Sequence, residues 1–190
     1  STPFGSPDMP LNPMLFALSA GATFVARTYD VDPKGMKEVF REAAEHKGTS
    51  FVEIFQNCNI FNDGTFSPIY ERPVRDDQIL NLKHGEPFIF GKNKNKGIRL
   101  NGLKPEIVEI GNGFNKDDLL IHDQYSSEGT LANLLSNFNY PEFPIPMGIL
   151  RQIKESTYGE ILENQINSQL EKLGEGVLND VLRGTHVWTN

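Results

Sequence analysis

Cys58 is the only cysteine in the chain, and it follows the apolar run Phe51–Phe55 within the polar stretch Gln56–Asp63. A short apolar run bounded by polar residues is typical of a buried strand. Ligands of α/β folds bind at the carboxyl edge of parallel strands, because loops there leave the packed layers while the strand fixes their position. Cys58 is therefore the first candidate for chemistry.

The local sequence leaves two roles open for this thiol. Cys58 could act as a nucleophile together with a distant histidine, but no neighbouring residue is expected to lower the pKa of its thiol. A half-buried structural thiol needs no such activation. On local chemistry alone, the structural role is the favoured interpretation.

The common catalytic motifs are absent from the sequence. It contains no Gly-x-Gly-x-x-Gly, no Walker loop, no Gly-x-Ser-x-Gly elbow and no Cys-x-x-Cys pair. His122-Asp123, at the end of an expected strand, could polarise a substrate or bind a metal. The positions of His46, His84 and His186 complete no metal-ligand spacing with this pair, so a structural role for His122 is favoured.

Charge and composition exclude several classes of function. The chain has 190 residues and a formal net charge of -7. Nucleic-acid binding and attachment to an anionic membrane both need a basic face, so this charge argues against both. No apolar stretch approaches the roughly 20 residues that span a bilayer. A single cysteine cannot form an internal disulfide, which favours the cytoplasm.

Hydrophobic periodicity predicts an α/β fold. Pro33 after the N-cap residue Asp32 marks the start of the most regular helix. Strand, helix and strand with short connections predict parallel strands joined by a right-handed crossover. The expected elements are a helix from Asn12 that stops at Gly21, a strand at Thr23–Arg27, a helix from Asp32 to Gly48, a strand at Ser50–Phe55, hairpin strands at Pro87–Phe90 and Ile98–Leu100, strands at Glu106–Ile110 and Leu119–His122, a helix at Glu128–Phe138, an extended segment at Pro141–Met147 and a helix at Tyr158–Leu173.

The start of the sequence suggests a piece of a longer protein. The chain begins with Ser1 rather than methionine, and the three prolines in its first ten residues are typical of an irregular loop. A trimmed tag or a processed precursor would give the same start. We therefore expect, from sequence, that a further part of the protein precedes Ser1.

Several segments together resemble one family. They are Ala20–Thr28, Ala43–Gly48, Phe51–Ile54 and the run Gln-Asn-Cys-Asn-Ile-Phe-Asn-Asp-Gly at 56–64. These segments strongly resemble the β subunit of 2-oxoacid:ferredoxin oxidoreductases, in particular of the 2-oxoglutarate type. The resemblance spans almost the whole chain, because Leu119–Asp123, Phe143–Gly148 and Val187–Thr189 resemble the family's carboxy-terminal extension.

The resemblance implies an α/β fold that is the distal half of a thiamine diphosphate-binding fold, with a mostly parallel sheet flanked by helices and a carboxy-terminal extension. It divides the chain into 1–64 (thiamine diphosphate-binding domain), 65–118 (an excursion with hairpin strands) and 119–190 (a helical extension). In that family the β subunit holds thiamine diphosphate, Mg²⁺ and one [4Fe–4S] cluster. It works with an α subunit, coenzyme A and ferredoxin in the oxidative decarboxylation of a 2-oxoacid.

The resemblance assigns one residue of this chain to a cofactor. Cys58 matches the family's last cluster cysteine, and a thiolate is the usual iron ligand in such clusters. The family's Cys-x-x-Cys, its third cluster cysteine and its Gly-Asp-Gly…Asn metal–diphosphate motif have no counterpart in this sequence. We therefore expect the chain alone to bind neither cofactor tightly and to be inactive, and no catalytic residue is carried over.

The alternative is a non-catalytic α/β interaction domain in which Cys58 is structural and the carboxy-terminal part is a docking arm. In either case we expect Phe143–Met147 and the Ile161–Leu173 helix to pack on another subunit, with the tail through Trp188 docking on a neighbour. Uncovered apolar surface of this kind favours association. The isolated chain is therefore expected to self-associate, or to need a partner for solubility.

Overall fold

The structure is a computed structural model that describes residues 3–5 and 7–184. The chain divides into two compact units, Ser1–Lys154 and Glu155–Asn190. The helices are α1 (Pro13–Ser19), α2 (Pro33–Glu45), α3 (Ser67–Tyr70), α4 (Arg75–Gln78), α5 (Thr130–Ser136), α6 (Tyr158–Leu173) and α7 (Leu178–Arg183), with a 3₁₀ turn at Lys116–Asp118. The strands are β1 (Phe24–Tyr29), β2 (Ser50–Phe55), β3 (Ile79–Asn81), β4 (Ile89–Phe90), β5 (Lys96–Asn101), β6 (Lys104–Glu109) and β7 (Ile145–Gln152).

The first unit is built on a mixed four-stranded sheet with the order β2-β1-β7-β3. β1 and β2 are parallel, as the sequence predicts, and pair in register from Phe24 with Ser50 to Tyr29 with Phe55. β7 returns from the far end of the unit and runs antiparallel to β1, while β3 is parallel to β7. The mixed α/β fold is confirmed, with two of three strand pairings parallel.

Helix α2 covers one face of β1 and β2. Asp32 caps it by accepting a hydrogen bond from the Gly35 N–H at 3.1 Å, and Pro33 occupies its first turn. Its buried side chain Val39 packs with Phe24 and Ala26 of β1. The helix thus holds β1 and β2 side by side, so that both strands end at the same edge of the sheet.

Helices α1 and α5 contribute to the larger core of the unit. Met14, Leu135 and Phe138 are at most 1% exposed and pack in one cluster with Val25 of β1 and Leu150 of β7. The sequence predicts both helices, but α5 spans only Thr130–Ser136 of the expected Glu128–Phe138. Extended chain was expected at Pro141–Met147, and the strand starts at Ile145 and continues to Gln152. The expectation that Phe143–Met147 packs on another subunit is wrong, because Ile145 and Met147 are buried in the core of the first unit.

A small antiparallel sheet, β4-β5-β6, contains the hairpin expected around the polar turn at 91–97. Leu119–His122, expected as a strand, is not a regular strand. It is an extended segment with one isolated bridge, between Pro87 and Ile121. Its backbone still forms hydrogen bonds, because the Leu120 N–H donates to Ile98 O of β5 and the Phe88 N–H donates to Leu120 O.

The second unit, Glu155–Asn190, consists of α6 and α7 in its described part. A capping box starts α6, where the Thr157 hydroxyl accepts from the Glu160 N–H and the Glu160 carboxylate accepts from the Thr157 N–H. The tail through Trp188, expected to dock on a neighbour, lies outside the described residues. No helix within 3–5 and 7–184 has the length and hydrophobicity that a bilayer crossing requires. The predicted division at 64/65 and 118/119 stays a prediction.

A charged pair crosses β1 and β2 inside the first unit. Arg27 and Glu53 are register partners, and the Arg27 Nε donates to Glu53 Oε2 at 2.6 Å. Arg27 is 4% exposed and Glu53 18%, and the guanidinium lies 5.1 Å from the centre of the Phe55 ring. The charges satisfy each other where neither is well solvated, so the pair fixes the register of the two strands that precede the candidate site.

We predict that Glu53→Gln lowers the free energy of unfolding by about 3 kcal/mol, because it leaves the buried guanidinium without a counter-charge. The matched control is Glu106→Gln, which breaks the more exposed pair with Arg99 and should cost much less, because solvent screens exposed ion pairs. Urea unfolding monitored by circular dichroism measures both. Equal costs for the two variants would contradict a special role for the Arg27 pair.

We predict that α6 drives self-association of the isolated chain. Leu162, Ile166 and Leu170 lie four residues apart on one stripe and are 41%, 50% and 45% exposed. Burial of such surface is worth roughly 25 cal/mol per Å², which favours association. Sedimentation velocity over a concentration series should show concentration-dependent species that Ile166→Gln shifts toward monomer and Asn167→Ser does not. A chain that stays monomeric at high concentration would contradict this expectation and support the autonomous interaction domain.

Candidate functional site

Cys58 lies three residues beyond the end of β2, at the same sheet edge where β1 ends. The carboxylate of Asp30, the first residue after β1, accepts a hydrogen bond from the Asn57 N–H at 3.1 Å. The Asp30 N–H in turn donates to Phe55 O at 3.0 Å. These two bonds tie the end of β1 to the end of β2, so the loop that carries Cys58 starts from a fixed position.

The side chain of Asn57 spans this loop. Its Nδ2 donates to Asn59 Oδ1 and to Asp63 Oδ1, both at 2.8 Å, and its Oδ1 accepts from the Gly64 N–H at 2.9 Å. A backbone bond from the Asn62 N–H to Cys58 O at 3.0 Å closes the turn. One amide group thus binds the beginning of the loop to its end, with Cys58 held between.

The Cys58 thiol is exposed, not half-buried as the structural interpretation assumed. Hydrogen bonds from the backbone N–H groups of Phe61 and Ile60 lower the pKa of the Cys58 thiol, and that of Asn62 adds a smaller effect; desolvation of the thiol and the Asp63 charge oppose them only in part. The prediction that nothing nearby lowers this pKa is therefore wrong. Sequence reasoning considered side-chain charges, whereas the effect comes from backbone amides that the turn directs toward the sulfur.

Two exposed apolar side chains lie in the same loop as the thiol. Ile60 and Phe61, two and three residues after Cys58, are 84% and 88% exposed. Exposed large apolar residues at a loop tip are unusual in a free surface and common where a surface meets another molecule. The loop therefore presents a thiol with two uncovered apolar neighbours.

The chain by itself offers one ligand for a metal cluster. Within the described residues, no group of three or more His, Cys, Asp or Glu side chains lies close enough to hold a metal ion. The exposed Cys58 thiol, stabilised as thiolate by backbone amides, suits one corner of an iron–sulfur cluster. Its donor chemistry fits that group, and the remaining thiolates must come from outside these residues.

His122, the other residue with candidate chemistry, has a structural place. It is 1% exposed, and its Nε2 lies 2.8 Å from Ile149 O of β7. Asp123 lies 3.4 Å from His84 on the surface. The pair His122-Asp123 is therefore split, with one side chain inside and one outside, and the two do not form a metal site.

Sequence reasoning missed a cavity of about 530 Å³ in the first unit. It lies beside the first half of α2, over β1 and β7, and Cys58 is not among its lining residues. Its walls carry charges of both signs, including Glu38 and Glu42 on α2 and Lys83 after β3. Mixed charges over a partly apolar floor select no single ligand chemistry, so the exposed thiol remains the better candidate.

Comparison with known proteins places the chain among oxidoreductase subunits. It is 34% identical over its full length to the 2-oxoglutarate oxidoreductase subunit KorB of Mycobacterium tuberculosis, and covers 51% of that protein. A 64-residue stretch is 39% identical to the 2-oxoacid:ferredoxin oxidoreductase subunit beta of Saccharolobus solfataricus, covering 34% of this chain and 21% of that protein. The chain is thus similar over its full length to a β subunit of this kind of oxidoreductase, of which it covers about half.

A solved structure has the same fold. It is the 2-oxoglutarate:ferredoxin oxidoreductase from Magnetococcus marinus with 2-oxoglutarate, coenzyme A and succinyl-CoA bound. The TM-score is 0.58 at 23% identity, over 97% of this chain and 48% of the other. The chain thus spans about half the length of the relatives that it matches over its full extent. No family model matches the chain.

We predict that the isolated 190-residue chain does not bind thiamine diphosphate with Mg²⁺ at micromolar affinity. Mg²⁺ bridges a diphosphate to protein oxygens, and the described residues contain no acidic cluster that could hold the ion. Isothermal titration with thiamine diphosphate and Mg²⁺ measures this, with a Mg²⁺-free titration as control. Micromolar, Mg²⁺-dependent binding would contradict the interpretation that this chain is part of a larger cofactor-binding subunit.

Proposed function

We propose that this chain is part of the β subunit of an enzyme that oxidatively decarboxylates a 2-oxoacid, with 2-oxoglutarate as the favoured substrate. In the balanced reaction, the 2-oxoacid, coenzyme A and two oxidised ferredoxins give the acyl-CoA, CO₂, a proton and two reduced ferredoxins. The full-length relationship to a 2-oxoglutarate oxidoreductase subunit supports this proposal. The whole activity belongs to a longer subunit together with an α partner.

Within that enzyme, we assign Cys58 as one ligand of a [4Fe–4S] cluster. The observation that carries the assignment is the exposed thiol, stabilised as thiolate at the carboxyl edge of two parallel strands. Such a cluster, when bound, accepts and passes on single electrons. Thiamine diphosphate and Mg²⁺ would be held by residues outside this chain, because the described part offers no site for them.

The chain's own residues orient the ligand. Asn57 binds the loop from Asn59 to Gly64, and Asp30 anchors Asn57 to the end of β1. This network fixes the Cys58 backbone before any cluster is present, which lowers the entropic cost of ligation. Amides that face the sulfur also stabilise the more reduced cluster, because they donate hydrogen bonds to negative charge.

The exposed loop residues support a covering partner polypeptide, and the thiol supports a reducing compartment. Ile60 and Phe61 would be covered by the cluster and by the polypeptide that supplies its other thiolates. A free, exposed thiol persists in a reducing compartment, so we place the enzyme in the cytoplasm.

We predict that Cys58→Ala in the full-length subunit with its α partner abolishes or destabilises the [4Fe–4S] centre. A four-iron cluster that loses one of its thiolates loses iron or becomes labile. Iron content and the paramagnetic signal of the reduced protein measure the loss. The matched control is Thr65→Ala, which changes the same loop but leaves the thiol and the Asn57 network in place. Unchanged iron content and signal in Cys58→Ala would show the assignment to be wrong.

A further inference from the structure

His122 is the most buried ionisable side chain that the proposed function does not use. It is 1% exposed, and its ring packs 6.0 Å from the Phe88 ring, centre to centre. Its Nε2 lies 2.8 Å from Ile149 O. A carbonyl oxygen only accepts, so Nε2 carries the ring proton and Nδ1 is the unprotonated nitrogen. The structure gives Nδ1, which is buried, no hydrogen-bond partner among the described residues.

The segment that carries His122 connects the two sheets of the first unit. On one side, the Leu120 N–H donates to Ile98 O of β5, and the His122 N–H donates to Glu86 O. On the other side, the His122 ring bonds Ile149 O of β7, and Gln124 O accepts from the Gln152 N–H. Residues 119–124 thus bridge the small sheet and β7, which also pack together directly in one apolar core through Phe88, Ile98 and Leu150. Two side chains of the segment hydrogen-bond to that strand, the His122 ring at Ile149 O and the Gln124 amide at Gln152 Oε1.

β7 is irregular where this tie is made. The register of β1 and β7 shifts between Val25 and Ala26, whose partners are Arg151 and Ile149. Leu150 is therefore skipped in the pairing. A side-chain donor at Ile149 O holds the strand beside this irregularity, where backbone pairing alone is interrupted.

We propose that His122 is a proton-operated lock, which holds residues 119–124 on β7 while its ring is neutral and releases them when the ring takes up a proton. A second ring proton would place an N–H at the buried Nδ1, where no acceptor is present. It would also place a positive charge in an apolar site beside Phe88. The ring must leave the site to be solvated, and the bond to Ile149 O is then lost.

The charges around the ring do not offset the cost of a protonated imidazole in this site. Asp123 is the acidic group that acts on His122, and it is exposed and engaged by His84 at 3.4 Å. A proton on His84 would add a second positive charge next to the ring. The other charged groups on the packed elements are engaged elsewhere. The Lys83–Glu86 pair is exposed, Lys96 and Arg99 of β5 pair with Asp77 and Glu106, and Arg151 of β7 donates to Ser127 O.

The pKa shift of His122 has the direction that the lock requires. Burial lowers the pKa of His122, and the hydrogen bond to Ile149 opposes this only in part. The unfolded or released segment has an ordinary histidine pKa near 6.5 and binds more protons than the closed state below that pH. Stability of the closed state is therefore complete above about pH 6.5 and falls as the pH drops below it toward the lowered pKa of the closed state, by up to about tenfold in the closing equilibrium per pH unit.

Hydrogen exchange read residue by residue on the 190-residue chain tests the lock. Between pH 6.5 and 5, the protection factor of Gln152, whose N–H donates to Gln124 O across this contact, should fall by up to about tenfold per pH unit, while those of Val25 and Ala26 in β1 stay constant. In His122→Gln the amide can still donate to Ile149 O but cannot titrate, so the fall should vanish. His46→Gln is the matched control and should keep it, because the pKa of His46 is also lowered but its ring bonds Thr23 at another site.

A second measurement on the wild-type chain keeps the test independent of any variant's folding. Nitrogen NMR of the His122 ring should show the Nε2–H tautomer in the closed state above pH 6.5. A ring that takes up a proton below that pH while the protection of Gln152 is unchanged would overturn the lock. A loss of protection that is equal in β1 and at Gln152 would also overturn it, since it would mean global unfolding.

Discussion

The parallel pairing of β1 with β2 is the constraint on which the rest of the first unit depends. Six successive residues pair in register, and the buried Arg27–Glu53 pair lies in the middle of them. A slip by one residue would turn Glu53 to the opposite face and leave Arg27 buried without a counter-charge. The pair therefore selects the register, and the register brings both strand ends to one edge.

The candidate site follows from that edge. Because β1 and β2 end together, Asp30 reaches the Asn57 N–H and the loop starts from a defined point. Asn57 then closes the loop with its own side chain, and the turn aims backbone amides at the Cys58 sulfur. Backbone amides are a useful means of holding a thiolate in an acidic protein, since they supply positive partial charge without a basic residue.

The two sheets of the first unit share one apolar core and are also bridged by hydrogen bonds of an irregular segment. Residues 119–124 lie between them as an irregular segment whose backbone bonds on both sides and whose histidine is buried. Irregular backbone inside a fold must satisfy its hydrogen bonds individually, because it has no ladder or helix to do so. That requirement explains why one imidazole, rather than an apolar side chain, lies against β7 at this point.

The sequence by itself determined the elements that have strong local signals. The capped helix α2, strands β1 and β2, the hairpin around the polar turn and the whole of α6 were predicted from caps, prolines and apolar periodicity. The place of Cys58 beyond the end of β2 also follows from sequence, because a strand and the polar run after it are adjacent in the chain.

Only the tertiary structure decided how distant segments meet. β7 pairs with β1 from more than a hundred residues away, and the Arg27–Glu53 pair, the Asn57 network and the buried His122 all depend on strand register. The polar run around Asn57 hinted at a turn, but it could not show which amides would face the sulfur. Local propensity fixes dihedral angles within a few residues, whereas register and burial are set by packing over the whole unit, which no short segment of sequence contains.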